Sequence, residues 1–490
     1  MDSPDAQGRV SPALKGEAVS SFRWSALSYG GSRVLIFGMT LALARLLTAA
    51  DFGVVAGGMA IVTLLELGLD LGLGASLIYD QEAAITRRVQ TVFTVNMAVA
   101  VALAALGVLA APAVARLLSS PEQTSLYRAL FLYLIVRGMN QVPDAILKRD
   151  LRFRRRAGID AARVGVRVIL ALALAAGGAG AWSIVASLLV GELIVVPLSW
   201  HAVRFWPTFQ LDRAAGRQLL DFGLLVLLLK VVDALALDSD YLVVGARLGP
   251  TALGQYTISY RLPELLLINF YWIFSTVAFP TYVRYRHQGN AALATVMLRA
   301  LRLIALVSLP AGIGLAVVAR DAVLVLFGPR WAPAAAPMAL IALTTGLMSI
   351  GYASGDIYAA TGRPATLLWL NVPFTGVLIV AMIGAAPAGI TAVAAVHLAL
   401  AALYAPARLL LANRRVGASL RSELVALWPG TVAGLGILAV AGPVRFLLPP
   451  GGIALTATVI AGVLGAAAAT WLWARETMTE AAGLLRNVRA

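Results

Sequence analysis

An all-α protein that crosses a membrane many times is the fold class this sequence predicts, and three observations predict it. Of 490 residues, 60% are hydrophobic and 13% charged, with a mean hydropathy of +0.85, outside the range of soluble domains. Apolar runs of roughly 20 residues, each long enough to cross a hydrocarbon core about 30 Å thick, recur from end to end. The basic residues also sort by loop. With the N-terminus taken as inside, 24 Lys and Arg fall in inside segments and six in outside turns, at Arg45, Arg116, Arg247, Arg320, Arg330 and Arg445. That asymmetry follows the positive-inside rule and places both termini in the cytoplasm. The formal charge of +15 then reflects anionic lipid heads, and no nucleic acid is expected as a partner. Cysteine is absent, which excludes disulfides, thiolate metal sites and a cysteine nucleophile. Met1 to Ser20 is polar and lacks the features of a secretory signal, so the first membrane helix is expected to be retained.

Fourteen spans are expected, centred near Arg33, Glu66, Ala100, Arg137, Arg167, Glu192, Lys230, Ile268, Val307, Thr345, Leu378, Val396, Gly434 and Ala461. The first carries Ser25, Ser28, Tyr29 and Ser32 on one helical face, with Arg33 beside them. A turn through Leu47 to Asp51 leads to the second, which holds Glu66 and Asp70 at i, i+4. A carboxylate at the bilayer centre costs about 2.5–3.5 kcal/mol, so this pair is expected either to accept Arg33 or to hold a coupling ion, a proton or sodium. The third run, Val89 to Ala115, is free of charge. The fourth places Arg137 at its middle, followed by Asn140, Gln141 and Asp144.

The basic segment KRDLRFRRR, Lys148 to Arg156, is read as an inside loop. After it the fifth span is interrupted by Asp160, Arg163 and Arg167, charges that must be buried against other helices. Glu192 lies in the sixth. A linker from His201 to Arg217 divides the chain. In the seventh, Lys230 and Asp233 share a face with Asp240 two turns beyond, and in the eighth Arg261 and Glu264 pair at i, i+3 beside Tyr256, Tyr260, Tyr271 and Trp272. The longest outside connection, around Arg320 to Ala334, contains FGPRW and leaves no room for an extramembrane catalytic domain. His397, alone in the twelfth span, is expected to be packed and hydrogen-bonded. From Leu424 to Ala474 the only charge is Arg445, so helices thirteen and fourteen offer apolar surface alone. Prolines 143, 197, 263, 310, 337, 373 and 406 fall within spans, and the glycines of the second helix favour close packing.

The two sides of the linker resemble each other. A-R-L-L-T-A-A-D-F-G (Ala44 to Gly53) returns as A-R-L-G-P-T-A-L-G (Ala246 to Gly254), Asp144 at a helix end returns as Asp356, and G-A-W-S-I-V-A (Gly180 to Ala186) returns as A-G-I-T-A-V-A (Ala388 to Ala394). Offsets that agree within about ten residues describe a six-helix unit repeated in one membrane orientation. The expected organisation is a lobe over residues 1–205, a second over 206–415, and helices thirteen and fourteen with the tail over 416–490.

A basic-flanked first helix ending in ARLLTAADFG, a second helix with LELGLDLGLGASLI, and a 6 + 6 + 2 arrangement resemble the Wzx-type oligosaccharide flippases of the superfamily that includes lipid II flippases and multidrug extruders. The resemblance implies two lobes around a cavity that opens alternately to either side of a bacterial inner membrane. It implies a polyprenyl-diphosphate-linked oligosaccharide as cargo, moved to the outer leaflet for exopolysaccharide, capsule or lipopolysaccharide assembly beside polymerase and export machinery. Arg33, Arg137, Lys230 and Arg261, with the hydroxyl stripe Ser25, Ser28, Tyr29 and Ser32, are then the candidate substrate groups, since guanidinium binds phosphate oxygens bidentately. Glu66, Asp70, Asp233 and Glu264 are candidates for ion coupling or structural pairing. No metal site, cofactor or catalytic residue is expected. Two alternatives differ in class. An ion-coupled drug extruder of the same fold needs fewer buried cations, and a membrane polysaccharide polymerase or ligase needs a large outer loop with acid or base residues.

Overall fold

A computed structural model describes residues 30–69, 85–150, 152–209, 213–362 and 365–475. Ser25, Ser28, Tyr29 and Asp70 lie outside the described residues, and so does the side chain of Asp233. Among the described residues every regular element is helical. In chain order these are α1 (30–46), α2 (Ala49–Glu66), α3 (Ile85–Leu117), α4 (Thr124–Arg149), α5 (Phe153–Ala176) and α6 (Trp182–Val203). The run Arg213–Pro263 is broken at Gly249, whose φ of 81° lies in the left-handed region. The break separates α7 (213–248) from α8, which starts at Pro250 and runs through a π-helical turn, Glu264–Ile268, to Tyr285. There follow α9 (Asn290–Ala322), α10 (Ala335–Ala360), α11 (Ala365–Ala385), α12 (Ile390–Val416), α13 (Leu420–Leu447) and α14 (Gly452–Trp473). This order is consistent with the fourteen expected spans.

Among the described residues ten stretches are long and apolar enough to cross a bilayer, and one of them, Lys230–Gln288, contains the break between α7 and α8. The helices α4 and α5 fall short of that apolarity because Arg137, Asp144, Asp160, Arg163 and Arg167 interrupt them. Arg137, Asp144, Asp160 and Arg163 are paired within the protein, as shown below. Pro263 coincides with the π turn that follows it, where the Asn269 side chain donates to the Glu264 carbonyl at 3.0 Å. Pro337 sits in the first turn of α10, not in a helix interior.

Contacts divide the chain into two compact units, one of Met1–Leu46, Ile61–Ala115 and Glu122–Lys230, the other of Leu47–Ala60, Arg116–Pro121 and Val231–Ala490. In the first, Val89, Val92 and Phe93 of α3 pack on Val142 and Ala145 of α4, with Phe205 and Trp200 edge-on to Phe93. In the second, Val244, Leu253 and Tyr256 form a core with Ile341, Leu378, Met382 and Val393.

Helix starts carry the sequence repeat. Ala49 and Pro250 begin α2 and α8, 201 positions apart, and Trp182 and Ile390 begin α6 and α12, 208 positions apart. The two copies of the ARL turn solve the helix start differently. Before α2, Thr48 and Asp51 cap one another, with Thr48 N donating to Asp51 Oδ2 at 2.9 Å and Asp51 N to Thr48 Oγ1 at 3.2 Å. Before α8, Gly249 supplies the turn and Pro250 the first helical residue. Within the second unit these starts interlock. A Cβ on Gly53 would lie 1.7 Å from the Pro250 carbonyl oxygen, and a Cβ on Gly254 would lie 1.7 Å from that of Ala49. Each glycine thus admits the first residue of the other copy's helix. The FGPRW turn closes beside them, with Trp331 fully buried edge-on to Phe52 and Arg330 Nη1 donating to the Leu47 carbonyl at 3.1 Å.

The last two helices pack against α9. Gly430 lies against the Ala305 backbone, and Gly436 and Gly465 bring α13 and α14 together. The turn between them is fastened by Asp321, fully buried, which pairs with Arg445 Nε and accepts from Gly451 N at 3.3 Å. Removing one partner of a buried pair costs about 3–5 kcal/mol, whereas replacing both by apolar groups is often neutral. Asp321→Asn is therefore expected to lower the unfolding temperature of the purified protein by several degrees, and the Asp321→Leu, Arg445→Leu double variant to recover most of the loss. Calorimetry in one detergent checks both.

Candidate functional site

The charges of the first unit converge from four helices. Glu66, at the end of α2, takes Arg137 of α4, with Nε to Oε1 at 2.5 Å. Glu192 of α6 is 6% exposed and bridges two arginines, accepting Arg163 Nη1 at 2.9 Å with Arg137 Nη1 at 3.9 Å from its other oxygen. Gly191 makes that reach possible, since a Cβ there would lie 3.3 Å from the Arg163 carbonyl oxygen. Arg163 also holds Asp160 at 2.9 Å. Asp144 accepts both Lys148 and Arg156 at 2.6 Å. Neutral bonds fix the frame, with Asn140 Nδ2 donating to the Glu192 carbonyl at 3.1 Å and Trp200 Nε1 to that of Met139 at 3.0 Å.

Two cavities open on this network. The larger, about 320 Å³, is lined by Ser32 and Arg33 of α1, by Arg156, Asp160, Arg163 and Arg167 of α5, and by Glu192. Four guanidinium groups there face two carboxylates. The smaller, about 170 Å³, is lined by Arg137, Asn140, Asp144 and Lys148 of α4 and shares Arg156, Asp160, Arg163 and Glu192 with the first. A wall with surplus guanidinium charge is suited to a multiply charged anion such as a diphosphate.

The expected residues divide accordingly. Arg33 and Ser32 line the larger cavity. Arg137 lines the smaller one and is engaged by Glu66, one of the two carboxylates offered to Arg33 or to a coupling ion. The larger cavity is lined by Arg156, Arg163 and Arg167 of α5, which were not among the candidate substrate groups, and Arg137 is not part of its lining. A signal for it was present, because 156, 160, 163 and 167 are spaced four, three and four and so share one face of α5.

Lys230, the last residue of the first unit, lines neither cavity, and in the second unit Arg261 is paired locally with Glu264 at 3.3 Å. Asp240, 1% exposed, accepts Tyr256 Oη at 2.9 Å, a short bond from Tyr260 Oη, and its neighbour's backbone N–H. His397 is packed inside the protein, with its Nδ1 3.8 Å from Asp240 Oδ2, beyond hydrogen-bond distance. Arg408 is one of the 24 basic residues sorted to inside segments. It is buried within α12, its guanidinium 5.6 Å from the Tyr352 ring centre and 5.4 Å from that of Tyr404.

Residues 42–336 match the model of a family described as polysaccharide biosynthesis protein. The succinoglycan biosynthesis transport protein ExoT of Rhizobium meliloti (strain 1021) is 28% identical over 369 residues, 74% of this chain and 73% of that protein. The teichuronic acid biosynthesis protein TuaB of Bacillus subtilis (strain 168) is 23% identical over 72% and 73%, and the lipopolysaccharide biosynthesis protein WzxC of Escherichia coli (strain K12) 22% identical over 76% and 75%. Among solved structures, the lipid II flippase MurJ in an inward closed conformation superposes with a TM-score of 0.73 at 13% identity, covering 93% of this chain and 99% of that one. An inward-facing multidrug resistance MATE transporter reaches 0.61 at 16% identity, over 80% and 94%. At these identities the two likenesses speak for the fold.

Proposed function

The chain belongs to the polysaccharide biosynthesis protein family, and on that premise we propose that it is a flippase carrying a polyprenyl-diphosphate-linked oligosaccharide from the cytoplasmic to the outer leaflet for polysaccharide assembly. The observation that carries the reading is the larger cavity of the first unit, where Arg33, Arg156, Arg163 and Arg167 outnumber Asp160 and Glu192. Relatives named for succinoglycan biosynthesis transport, teichuronic acid biosynthesis and lipopolysaccharide biosynthesis support a lipid-linked saccharide as cargo. In this reading the guanidinium groups hold the diphosphate, the part common to all such carriers, while the sugars are held more loosely. The same cation excess disfavours an extruder of cationic drugs, which needs carboxylates in its cavity. Glu66 and Glu264, each committed to an arginine, serve structural pairing in this account.

Reconstitution tests it. Proteoliposomes holding the purified chain are expected to translocate a fluorescent polyprenyl-diphosphate oligosaccharide, with competition from an unlabelled polyprenyl diphosphate and none from a lipophilic cation. The reverse pattern of competition supports the extruder. For orientation, we propose that both termini and the segment around Asp150 face the cytoplasm. With no native cysteine to remove, Asp150→Cys is expected to resist an impermeant thiol reagent in intact cells and to react in inverted vesicles. Labelling in intact cells overturns the assigned topology.

A further inference from the structure

Where the end of α9 meets the turn between α13 and α14, the second unit carries a groove of about 780 Å³. Its floor is small and apolar, made by Ala316, Ala332, Ala336 and Ala339, and Leu448 and Pro449 form one wall. The rim is apolar as well, since Phe446 is 91% and Leu447 81% exposed. Two arginines reach the groove, and they differ. Arg445 is committed to Asp321, with its Nη1 donating to the Leu448 carbonyl at 3.4 Å. That pairing fixes the wall. Arg320 is exposed, and among the described residues no carboxylate lies within ion-pair distance of it.

An arginine in an apolar slot at the end of membrane helices sits at the depth of lipid headgroups, where its guanidinium fork matches phosphate oxygens. The charge selects an anion. The apolar floor and rim select an anion that carries a hydrocarbon chain, because a soluble phosphate gains nothing from alanine, proline and leucine walls. The alanines matter through what they lack, since bulkier residues would fill the slot along which a chain lies. We propose that this groove is a binding site for an anionic phospholipid, with its phosphate on Arg320 and one acyl chain along the alanine floor. The site is separate from the arginine network of the first unit and does not depend on which cargo that network binds.

Native mass spectrometry of the full chain tests it, after delipidation and titration with phosphatidylglycerol or phosphatidylcholine. The unaltered protein is expected to retain one tightly held phosphatidylglycerol with at least a ten-fold preference over phosphatidylcholine. Arg320→Gln is expected to lose that lipid while Arg320→Lys keeps part of it, and Ala336→Trp, which fills the slot, is expected to lose it with Arg320 intact. Unchanged retention in both Arg320→Gln and Ala336→Trp overturns the proposal. So does loss in Arg320→Gln with full retention in Ala336→Trp, which reduces the contact to a surface charge. Displacement of the bound lipid by an equimolar polyprenyl phosphate also overturns it, in favour of a carrier-lipid site.

Discussion

Arg33→Gln is expected to cut translocation of the lipid-linked oligosaccharide by ten-fold or more while the protein reaches normal abundance in the membrane, whereas Arg137→Gln is expected to lower abundance itself. The difference lies in where each side chain sits. Arg33 lines the larger cavity, and a charge-assisted hydrogen bond to a phosphate is worth about 1.5–3 kcal/mol, or roughly 10- to 100-fold in affinity. Arg137 is bound to Glu66 at 2.5 Å and faces Glu192 at 3.9 Å. Its loss leaves carboxylates from two helices without that cation. Since Glu66 remains 28% exposed, solvent recovers part of the cost, and about 1–3 kcal/mol is expected in place of the larger penalty of a fully buried pair. Quantitative blotting of membranes beside an assay of inner-leaflet intermediates separates the two outcomes. Normal translocation by Arg33→Gln removes that residue from the site, and full abundance with lost transport in Arg137→Gln restores it as a substrate ligand.

A larger effect on folding is expected at the interlocked helix starts. Gly53→Ala or Gly254→Ala each places a methyl carbon 1.7 Å from a backbone carbonyl oxygen. Backbone at a helix start cannot turn aside as a flexible side chain does, so each substitution is expected to cost at least about 3 kcal/mol, the upper end of common overpacking penalties. Because the two contacts are reciprocal, the double variant is expected to cost less than the sum of the singles, as one displacement relieves both. Gly376→Ala in α11 provides the control. Nothing lies within 4 Å of a Cβ there, and alanine favours a helix by up to about 1 kcal/mol over glycine. Thermal unfolding of all four variants in one detergent is the measurement. Full stability of Gly53→Ala and Gly254→Ala shows that the helix starts separate without cost.

The fold was legible because hydropathy acts locally. Apolar runs locate α3, α11, α13 and α14 without knowledge of any neighbour, and the ARL turns announced the helix starts that Gly53 and Gly254 join. Partners of buried charges were less legible, because a helical face gives direction along one helix and not the identity of the helix opposite. Glu66 was open to Arg33 or to a coupling ion, and nothing in its own helix singles out Arg137 of α4, which reaches it. Asp240 and His397 are 157 positions apart, and neither position signals the other. Arg408 counts among the inside cations by its place in the sequence, near the end of the twelfth span. Its burial depends on Tyr352, Ser354 and Tyr404, two of them on another helix. The face of α5 that bears Arg156, Asp160, Arg163 and Arg167 was readable, and its weight was missed because charges in a span count first against the span.

Photo-crosslinking most directly tests the claim that the arginine-rich cavity of the first unit holds the cargo's diphosphate. A polyprenyl-diphosphate oligosaccharide carrying a short photoreactive linker beside the diphosphate is irradiated with the reconstituted chain, and the labelled peptides are sequenced. The account predicts adducts within residues 32–36 and 153–167, abolished by excess polyprenyl diphosphate and reduced at least ten-fold in Arg33→Gln. Adducts confined to the second unit, or adducts in the first that survive both treatments, would contradict it.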